Sequence, residues 1–417
     1  MAKRLSKSER IKLKKRKKRI KLFIFTMEIL VVLFAIICAI IFLMPNSKSF
    51  LVKTFTNCSA GQALLDYLYK DEYDKNVYDD SVDKDDINTV DLGEGYTNIA
   101  LFGIDPRYDE FESGTHTDTI MIVSINNKTH EVKLVSVYRD SLLRMETSSG
   151  AIDYEKANAA YFRNGVVGAI NMLNENFDLD ITEYAIVNFS GLAKIIDALG
   201  GLDINITEDE RFYINGYLTE TRKITGMDAP DVTETGLVHL TGLQATAYCR
   251  IRYVTYTDEN GIEYNNDYGR TARQRNVLNK ILEKAKSAGV SELINVADTL
   301  IKENDIDGQK ILSTNIKWDK IVDLLTVAVD CNLSETFGFP YDVYTPEQGE
   351  PYYGYVVPMG LKQNVERLHA QLFPNLNYTS SSLVNRINDY LIDETGVYPP
   401  DDSDDGSDED SYDSSGY

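Results

Sequence analysis

Four segments concentrate carboxylates and arginines, and three of them lie directly beside apolar runs of the chain. Asp105 and Arg107 follow one such run, Asp118 begins the next, and Arg139 and Asp140 follow a third. A longer segment over 249–275 adds Arg250, Arg252, Arg270, Arg273, Gln274 and Arg275. Carboxylate oxygens are the ligands that Mg²⁺ prefers, and arginine is the side chain best shaped to bind phosphate. Together these residue types predict a site for a magnesium-bound pyrophosphate.

The apolar runs between these segments are typical of buried strands. TNIALFGI (97–104), DTIMIVSI (118–125) and VKLVSVY (132–138) are rich in β-branched residues and bounded by turn signals. Amphipathic stretches predict helices over 154–177, 190–200 (with Ser190 as N-cap), 271–288, 291–303, 317–330 and 361–373, and further strands over 183–189 and 352–359. This order predicts an α/β fold with a central, mostly buried β-sheet flanked by helices in three layers, α-β-α. Open α/β folds bind ligands at strand ends, where the polar segments lie.

The N-terminal region predicts a membrane anchor. Residues 22–44 form an apolar run whose only charged residue is Glu28, and 23 residues at about 1.5 Å each are enough to cross a hydrocarbon core. The run is too long for a cleaved signal peptide, and no small-residue cleavage site follows it. The basic segment 1–21 predicts a cytoplasmic N-terminus, so we expect a single-pass protein of the cell membrane whose remaining chain is extracellular.

Composition and charge narrow the possible functions. The 417 residues carry a net charge of −22 although 1–21 hold twelve Lys or Arg and one acid, so the exported part is strongly acidic. Such a surface argues against nucleic acid as a partner. With 43% hydrophobic residues the chain is not globally disordered. Four cysteines without a CxxC pair exclude a disulfide scaffold and a zinc ribbon, and leave the state of Cys58, Cys249 and Cys331 open.

Each candidate residue also has a purely structural explanation. An Asp after a strand, such as Asp105, most often caps a turn or a helix, and Asp118 could satisfy loop amides. Arg139 and Asp140 could form a surface ion pair worth little, and the arginines of 270–275 could be the solvated face of a helix. Finding all four segments in this order behind a membrane anchor favours the functional interpretation.

As an ordered set, the segments resemble the LytR–CpsA–Psr family of Gram-positive envelope proteins. The resemblance covers roughly 96–288 and includes NIALFGIDPR, THTDTIMIVSINNKTHEVKLVSVYRDS, HLTGLQATAYCRIR and DYGRTARQRNVLNKI. It implies a short cytoplasmic head, one membrane span and an exported α/β domain. It also implies a phosphotransferase that moves a glycopolymer, such as teichoic acid or capsule, from a polyprenyl-pyrophosphate carrier to peptidoglycan through a phosphodiester bond.

The resemblance further implies a role for each matching residue. Asp105 and Asp118 would hold Mg²⁺ and act at the catalytic centre with Arg139 and Asp140. The residues that would bind the pyrophosphate are Arg107, Arg139, Lys156, Arg250, Arg252, Asp267, Arg270 and Gln274. An apolar groove between the sheet and its covering helices would take the polyprenyl tail. Asp118 and Asp140 both remain candidates for the general base.

Two features depart from the family pattern. Tyr138 stands where the family usually has proline before the Arg-Asp pair, and the insertion TYTDENGIEYNN between Arg252 and Asp267 is long. Both lie beside the predicted site. The identity of the polymer and the acceptor position therefore stay open.

Together with the charged segments and the predicted anchor, the resemblance implies a Mg²⁺-dependent transferase whose partners would be a polyprenyl-linked glycopolymer, peptidoglycan and membrane lipid. A hydrolase of the same pyrophosphate and a non-catalytic anchored protein that binds lipid or polymer are the alternatives. The predicted organisation is a cytoplasmic head (1–21), a transmembrane helix (22–44), an extracellular stalk (45–95), the catalytic domain (96–395) and an acidic disordered tail (396–417).

Overall fold

The computed structural model describes residues 47–105, 115–306 and 309–400. The predicted transmembrane helix, the basic head, Arg107 and the tail beyond residue 400 lie outside these ranges. Within them, no helix has the length and apolar character needed to cross a membrane.

The strands, in chain order, are β1 Tyr96–Ile104, β2 Thr117–Asn126, β3 Glu131–Val137, β4 Leu142–Glu146, β5 Ile152–Lys156, β6 Glu183–Asn188, β7 Leu202–Ile206, β8 Gly236–Leu240, β9 Tyr256–Thr257, β10 Glu263–Tyr264, β11 Asp305–Ile306, β12 Gln309–Lys310, β13 Leu312–Thr314, β14 Asn332–Phe339, β15 Val343–Tyr344 and β16 Val357–Pro358.

The α-helices are α1 Ser47–Asn57, α2 Ser59–Leu65, α3 Asp71–Asn76, α4 Ala159–Phe177, α5 Phe189–Ala198, α6 Glu208–Thr225, α7 Gly242–Tyr248, α8 Asn266–Ser287, α9 Val290–Lys302, α10 Trp318–Asp330, α11 Leu361–Leu372 and α12 Ser382–Thr395. A π-helical turn over Asp66–Lys70 joins α2 to α3, and a 3-10 turn lies at Lys84–Asp86.

Six strands form the central sheet in the order β13-β6-β1-β2-β3-β14. The sheet is mixed, because β2 runs antiparallel to both β1 and β3, whereas β1 pairs in parallel with β6 and β3 with β14. Shorter antiparallel pairs, β4–β5, β7–β8 and β9–β10, lie outside it. The predicted α/β class, with a central sheet flanked by helices, is confirmed.

Alternating side chains of the strands bury both faces of the sheet, since neighbours on a strand point to opposite faces. Phe102 and Ile104 pack on one face with residues of α4, α11 and α12. Ile99, on the same strand, packs on the other face with residues of α8 and α10. Helices therefore cover the sheet on both sides.

Several predicted boundaries were wrong. The helix expected from residue 154 begins at Ala159, because Ile152–Lys156 pairs with β4 as a strand. The strand expected over 352–359 is reduced to β16, since turns occupy the preceding residues. The N-cap of α5 is Asn188, whose side chain accepts a hydrogen bond from Gly191 N, and not Ser190.

The first helices of the described chain pack against the domain. Tyr69 and Tyr73 are buried with Trp318 of α10, and the rings of Tyr73 and Trp318 lie 5.3 Å apart. Tyr73 also donates a hydrogen bond of 2.6 Å to the carbonyl of Ile316. The segment that starts three residues after the predicted membrane span is thus attached to the sheet and its helices.

Candidate active site

Strand direction brings three of the predicted segments to one edge of the sheet. Because β2 is antiparallel to β1 and β3, its first residues lie beside the last residues of both neighbours. Asp105 directly follows β1, Asp118 is the second residue of β2, and Arg139 and Asp140 follow β3. The register of β1 and β2 shifts between Gly103 and Ile104, at this same edge.

Arg139 connects the carboxylates of three segments. Its Nη1 donates a hydrogen bond to Asp118 Oδ1, and its Nε lies 3.4 Å from Asp140 Oδ2 and 3.6 Å from Asp267 Oδ2. Lys156, at the end of β5, is 3.1 Å from Asp140 Oδ1. The structure therefore gathers residues from β2, β5, the turn after β3 and α8 into one charged network.

Helix α8 contributes its first turns to the network. Arg270, with 3% of its side chain exposed, lies 2.9 Å from Asp267 Oδ2 and 3.6 Å from Asp118 Oδ1. Arg252 Nε is 3.8 Å from the other oxygen of Asp267. The helix was predicted to begin at 271 but begins at Asn266, which places Asp267 and Arg270 on the helix itself.

Arg250 is held by a different set of contacts. Its guanidinium donates to Glu220 Oε2 and Thr221 Oγ1, both at 2.8 Å. The same group lies 4.9 Å from the ring centre of Phe189 and 5.3 Å from that of Tyr217. Two aromatic rings and a carboxylate thus fix the orientation of this arginine beside the network.

The electrostatic environment fixes the ionisation of Asp118. Burial opposes its charge, but Arg270, Arg139 and Arg252 outweigh burial and lower the pKa of Asp118 below its usual value. Burial likewise opposes the charge of Arg139, whereas Asp267, Asp118 and Asp140 prevail and raise its pKa. Asp118 is consequently ionised at neutral pH and suited to bind a cation.

Two arginines of the network retain unused donors. The Nε atom of Arg139 has ion-pair contacts at 3.4 and 3.6 Å but no hydrogen bond within the described part of the chain, and the buried Nε of Arg270 makes none there either. A buried donor without a partner is unfavourable, and an anionic oxygen would satisfy it. The network is therefore more complete with an anion bound than without one.

A cavity of about 290 Å³ joins this charged network to an apolar space. Its polar wall includes Asp105, Asp118, Arg250, Arg252, Arg270 and Gln274. Its apolar wall includes Leu101, Met121, Val187, Leu192, Val277, Leu278 and Ile281. This cavity, called here the charged cavity, lies between the sheet and α8 and suits a ligand with an anionic head and a hydrocarbon tail.

The carboxylates fit a magnesium ion that shares its ligands with a phosphate group. Asp105 and Asp118 line the same cavity. In the described ranges no group of three or more His, Cys, Asp or Glu is placed to hold a metal on its own. Mg²⁺ usually binds through one or two carboxylates together with phosphate oxygens and water, and two carboxylates in this cavity meet that requirement.

Comparison with known proteins identifies the family. The LytR_cpsA_psr family model matches residues 65–348. The chain belongs to the LytR–CpsA–Psr family. It is 31% identical over 288 residues to the polyisoprenyl-teichoic acid–peptidoglycan teichoic acid transferase TagU of Bacillus cereus. This match covers 68% of this chain and 82% of the relative.

Solved structures show the same fold as this LytR–CpsA–Psr protein. The crystal structure of protein gbs0355 from Streptococcus agalactiae matches with a TM-score of 0.53 at 23% identity. The match covers 69% of this chain and 91% of the S. agalactiae chain. The structure of TagV from B. subtilis has a TM-score of 0.50 at 20% identity, with coverages of 69% and 100%. The family resemblance predicted from the sequence is confirmed. The family match over 65–348 extends beyond 96–288 on both sides.

Not every arginine of the LytR–CpsA–Psr segment 249–275 faces the charged cavity. Arg273 is fully buried and pairs with Glu210 Oε1 at 2.9 Å, so its role is structural. Arg275 lines a different cleft. Gln274 lines the charged cavity and its Nε2 lies 3.4 Å from the carbonyl of Cys249, whereas Arg107 lies outside the described residues.

Sequence reasoning missed the residues that hold Arg250. Glu220, Thr221 and Tyr217 lie on α6, a helix that was not predicted, and Phe189 begins α5. The sequence does contain a signal for this helix: the Thr207–Glu210 capping box marks its start, and Gly226 follows its last residue, Thr225.

Proposed function

We propose that this protein is a membrane-anchored, Mg²⁺-dependent phosphotransferase of cell-wall assembly. It transfers a glycopolymer from a polyprenyl-pyrophosphate carrier to peptidoglycan and forms a phosphodiester bond. The observation that carries the proposal is the charged cavity, whose lining combines arginines and two carboxylates with aliphatic side chains. The TagU relative, named as a teichoic acid–peptidoglycan transferase, supports the same reaction class.

The residues of the cavity suit the chemistry of phosphoryl transfer, which depends mainly on positioning and on neutralising phosphate oxygens. Arg139, Arg252 and Arg270 would bind the pyrophosphate, and Arg250 would contact it from the α6 side. An acceptor hydroxyl then forms a new O–P bond to the phosphate that carries the polymer. The P–O bond of the pyrophosphate breaks, and polyprenyl monophosphate leaves with the charge that the arginines stabilise.

A carboxylate must accept the proton of the attacking hydroxyl. The lowered pKa of Asp118 makes it a weak proton acceptor and fits it to hold the cation with Asp105. Asp140, 3.1 Å from Lys156 and next to Arg139, is then the favoured base of the two candidates. Mg²⁺ would supply further neutralisation of the phosphate oxygens when bound.

Membrane attachment follows from the predicted span at 22–44. Helix α1 begins at Ser47, so only two residues separate it from that span. A domain held this close to the outer surface would meet a lipid-linked donor confined to the same surface, which raises the effective concentration of both. Its extracellular location also explains why the activated group is the carrier pyrophosphate and not a nucleotide.

The test uses the full chain in detergent with a polyprenyl-pyrophosphate-linked polymer, in the presence and absence of peptidoglycan. We expect polyprenyl phosphate release that requires peptidoglycan and divalent cation, with the polymer recovered on the glycan. Release without acceptor would instead identify a hydrolase. Binding of the donor without release, at any cation concentration, would identify a non-catalytic binding protein. Asp118→Asn provides the inactive control.

A further inference from the structure

A second cleft, with a volume of about 530 Å³, lies on the opposite side of α8 from the charged cavity. Arg270, Gln274, Val277 and Ile281 of α8 line the charged cavity. Arg275, Asn279, Glu283 and Lys286 of the same helix line the second cleft. At 100° per residue these two sets occupy opposite faces of one helix.

The other walls of this cleft come from the β9–β10 pair and from strand β14. The β9–β10 pair, formed by the long insertion after Arg252, contributes Tyr256, Asp258 and Tyr264. Strand β14, at one end of the sheet order, contributes Ser334, Thr336 and Phe337. We call this space the hairpin cleft.

Two buried polar atoms of the hairpin cleft make no hydrogen bond to the residues that the structure describes. Arg275 is 5% exposed, lies 5.7 Å from the ring centre of Tyr264, and its Nη1 makes no hydrogen bond to any residue that the structure describes. Asn279 Oδ1 is likewise buried and unbonded. One is a donor and the other an acceptor, so a ligand that offers both kinds of group would satisfy them.

The charges of the cleft distinguish among possible ligands. Three cationic side chains line it, Arg275, Lys280 and Lys286, together with four acids, Asp258, Glu259, Glu283 and Glu335. This balance disfavours a chain of phosphates, unlike the arginine-rich charged cavity. Tyrosine rings, a buried donor and a buried acceptor instead fit a saccharide, whose hydroxyl and amide groups both donate and accept and whose C–H faces stack on aromatic rings.

We propose that the hairpin cleft binds the glycan strand of the peptidoglycan acceptor. This inference rests on the proposed function and assigns its second substrate to a place on the molecule. Tyr138 joins the two sites: its hydroxyl lies against Gly338 of β14, next to Phe337, and its neighbour in the chain is Arg139. Its ring also packs 4.6 Å from that of Tyr268, which lies beside Asp267. A glycan in the cleft is therefore adjacent to the charged network.

The experiment measures binding of two probes to the full chain in detergent by calorimetry. The first probe is a lipid-free peptidoglycan tetrasaccharide of N-acetylglucosamine and N-acetylmuramic acid, and the second is a glycerol phosphate oligomer. Arg275→Gln removes the buried charge, and Ser334→Trp fills the cleft from an exposed strand position. Asn205→Trp, at an exposed position of β7, is the matched control.

We expect the tetrasaccharide to bind. Arg275→Gln should weaken its affinity about tenfold or more, as for loss of a hydrogen bond to a charged group. Ser334→Trp should weaken its affinity to a similar extent, because the indole occupies the cleft. Asn205→Trp should bind as the wild type does. Unchanged tetrasaccharide affinity in Ser334→Trp would overturn the proposal, as would cleft-dependent binding of the glycerol phosphate oligomer alone.

The outcome separates this inference from the proposed function. If transfer occurs but Ser334→Trp leaves the KM for peptidoglycan unchanged, the glycan binds elsewhere and the cleft assignment fails alone. If the tetrasaccharide binds in the cleft but no transfer is detected, the transferase proposal fails and the binding site stands. Asp118→Asn should lose transfer while it keeps tetrasaccharide affinity.

Discussion

Arg139 donates a hydrogen bond to the carboxylate of Asp118 and thereby joins the turn after β3 to the first residues of β2. The two residues are 21 positions apart in the chain, and the antiparallel pairing of β2 with β3 brings them together. The pKa of Asp118 is lowered and the pKa of Arg139 is raised, so both groups stay charged at neutral pH. A phosphate that enters the cavity would compete with Asp118 for this guanidinium.

Arg139→Ala should abolish most of the transfer activity. Loss of one preorganised donor to a developing anion typically reduces kcat about 10²–10³-fold. The fold should stay cooperative, because Asp118, Asp140 and Asp267 keep Arg270 and Lys156 as partners. Transfer rates and thermal unfolding of the full chain check both statements. Arg386→Ala, at an exposed hydrogen bond on α12, is the control, and full activity in Arg139→Ala would disprove the site assignment.

Much of the site could be predicted because its residues lie next to strong strand signals. The apolar runs before Asp105 and Arg139 are continuous and rich in β-branched residues. They therefore predict where the strands end and at which edge of the sheet the site lies. Lys156 was placed in a helix because its segment has helical spacing. In the structure, pairing with β4 overrides that pattern, and Lys156 reaches Asp140 from a strand end.

What the sequence could not show depends on contacts between distant segments. Glu220 binds Arg250 across 30 residues, and Glu210 binds Arg273 across 63. Neither pairing leaves a local sequence pattern. The sequence therefore does not distinguish the roles of the five arginines in segment 249–275. The structure separates them into phosphate-site candidates, a buried structural group at Arg273, and Arg275 in the hairpin cleft.

Glu220→Ala should weaken donor binding more than catalysis. Without this carboxylate, Arg250 loses its 2.8 Å partner and its fixed orientation between two rings. We expect KM for the lipid-linked donor to rise about tenfold, since a hydrogen bond to a charged group is worth about 1.5–3 kcal/mol. Glu220→Asp should recover part of the loss. Glu208→Ala, on the same helix but paired with Arg211, should leave KM unchanged. A fall in kcat alone would contradict this positioning role.

The lowered pKa of Asp118 predicts a pH-dependent contribution to stability. A carboxyl group whose folded pKa lies below its unfolded value of about 3.9 stabilises the fold fully above that value. The contribution is lost as the pH falls through the lower folded pKa. The difference in unfolding free energy between wild type and Asp118→Asn should therefore be constant near pH 6 and shrink below about pH 4. Urea unfolding at several pH values measures it, and a difference that grows in acid would refute the assignment.

Arg273 and Glu210 form a buried ion pair that should matter for stability. Arg273 is fully buried and also donates to the carbonyl of Val254 at 2.9 Å, and Glu210 is 3% exposed. Removing one member of a buried pair leaves an unpaired charge and typically costs about 3–5 kcal/mol. Arg273→Ala should show this loss in urea unfolding. Arg211→Ala, at the partly exposed residue next to Glu210, should change stability little; equal losses would contradict the assignment.

The thiols should differ in reactivity according to their burial. Burial raises the pKa of Cys249 to about 12, so its reactive thiolate is scarce at neutral pH, and the side chain is also inaccessible. Cys331 is buried too, whereas Cys58 is exposed, and none of the three forms a disulfide within the described residues. Treatment of the full chain with iodoacetamide at pH 8 should label Cys58 and spare Cys249 and Cys331 until denaturant is added. Peptide mass spectrometry distinguishes the sites, and rapid labelling of Cys249 in the folded protein would show that the wall of the charged cavity beside Gln274 opens to solvent.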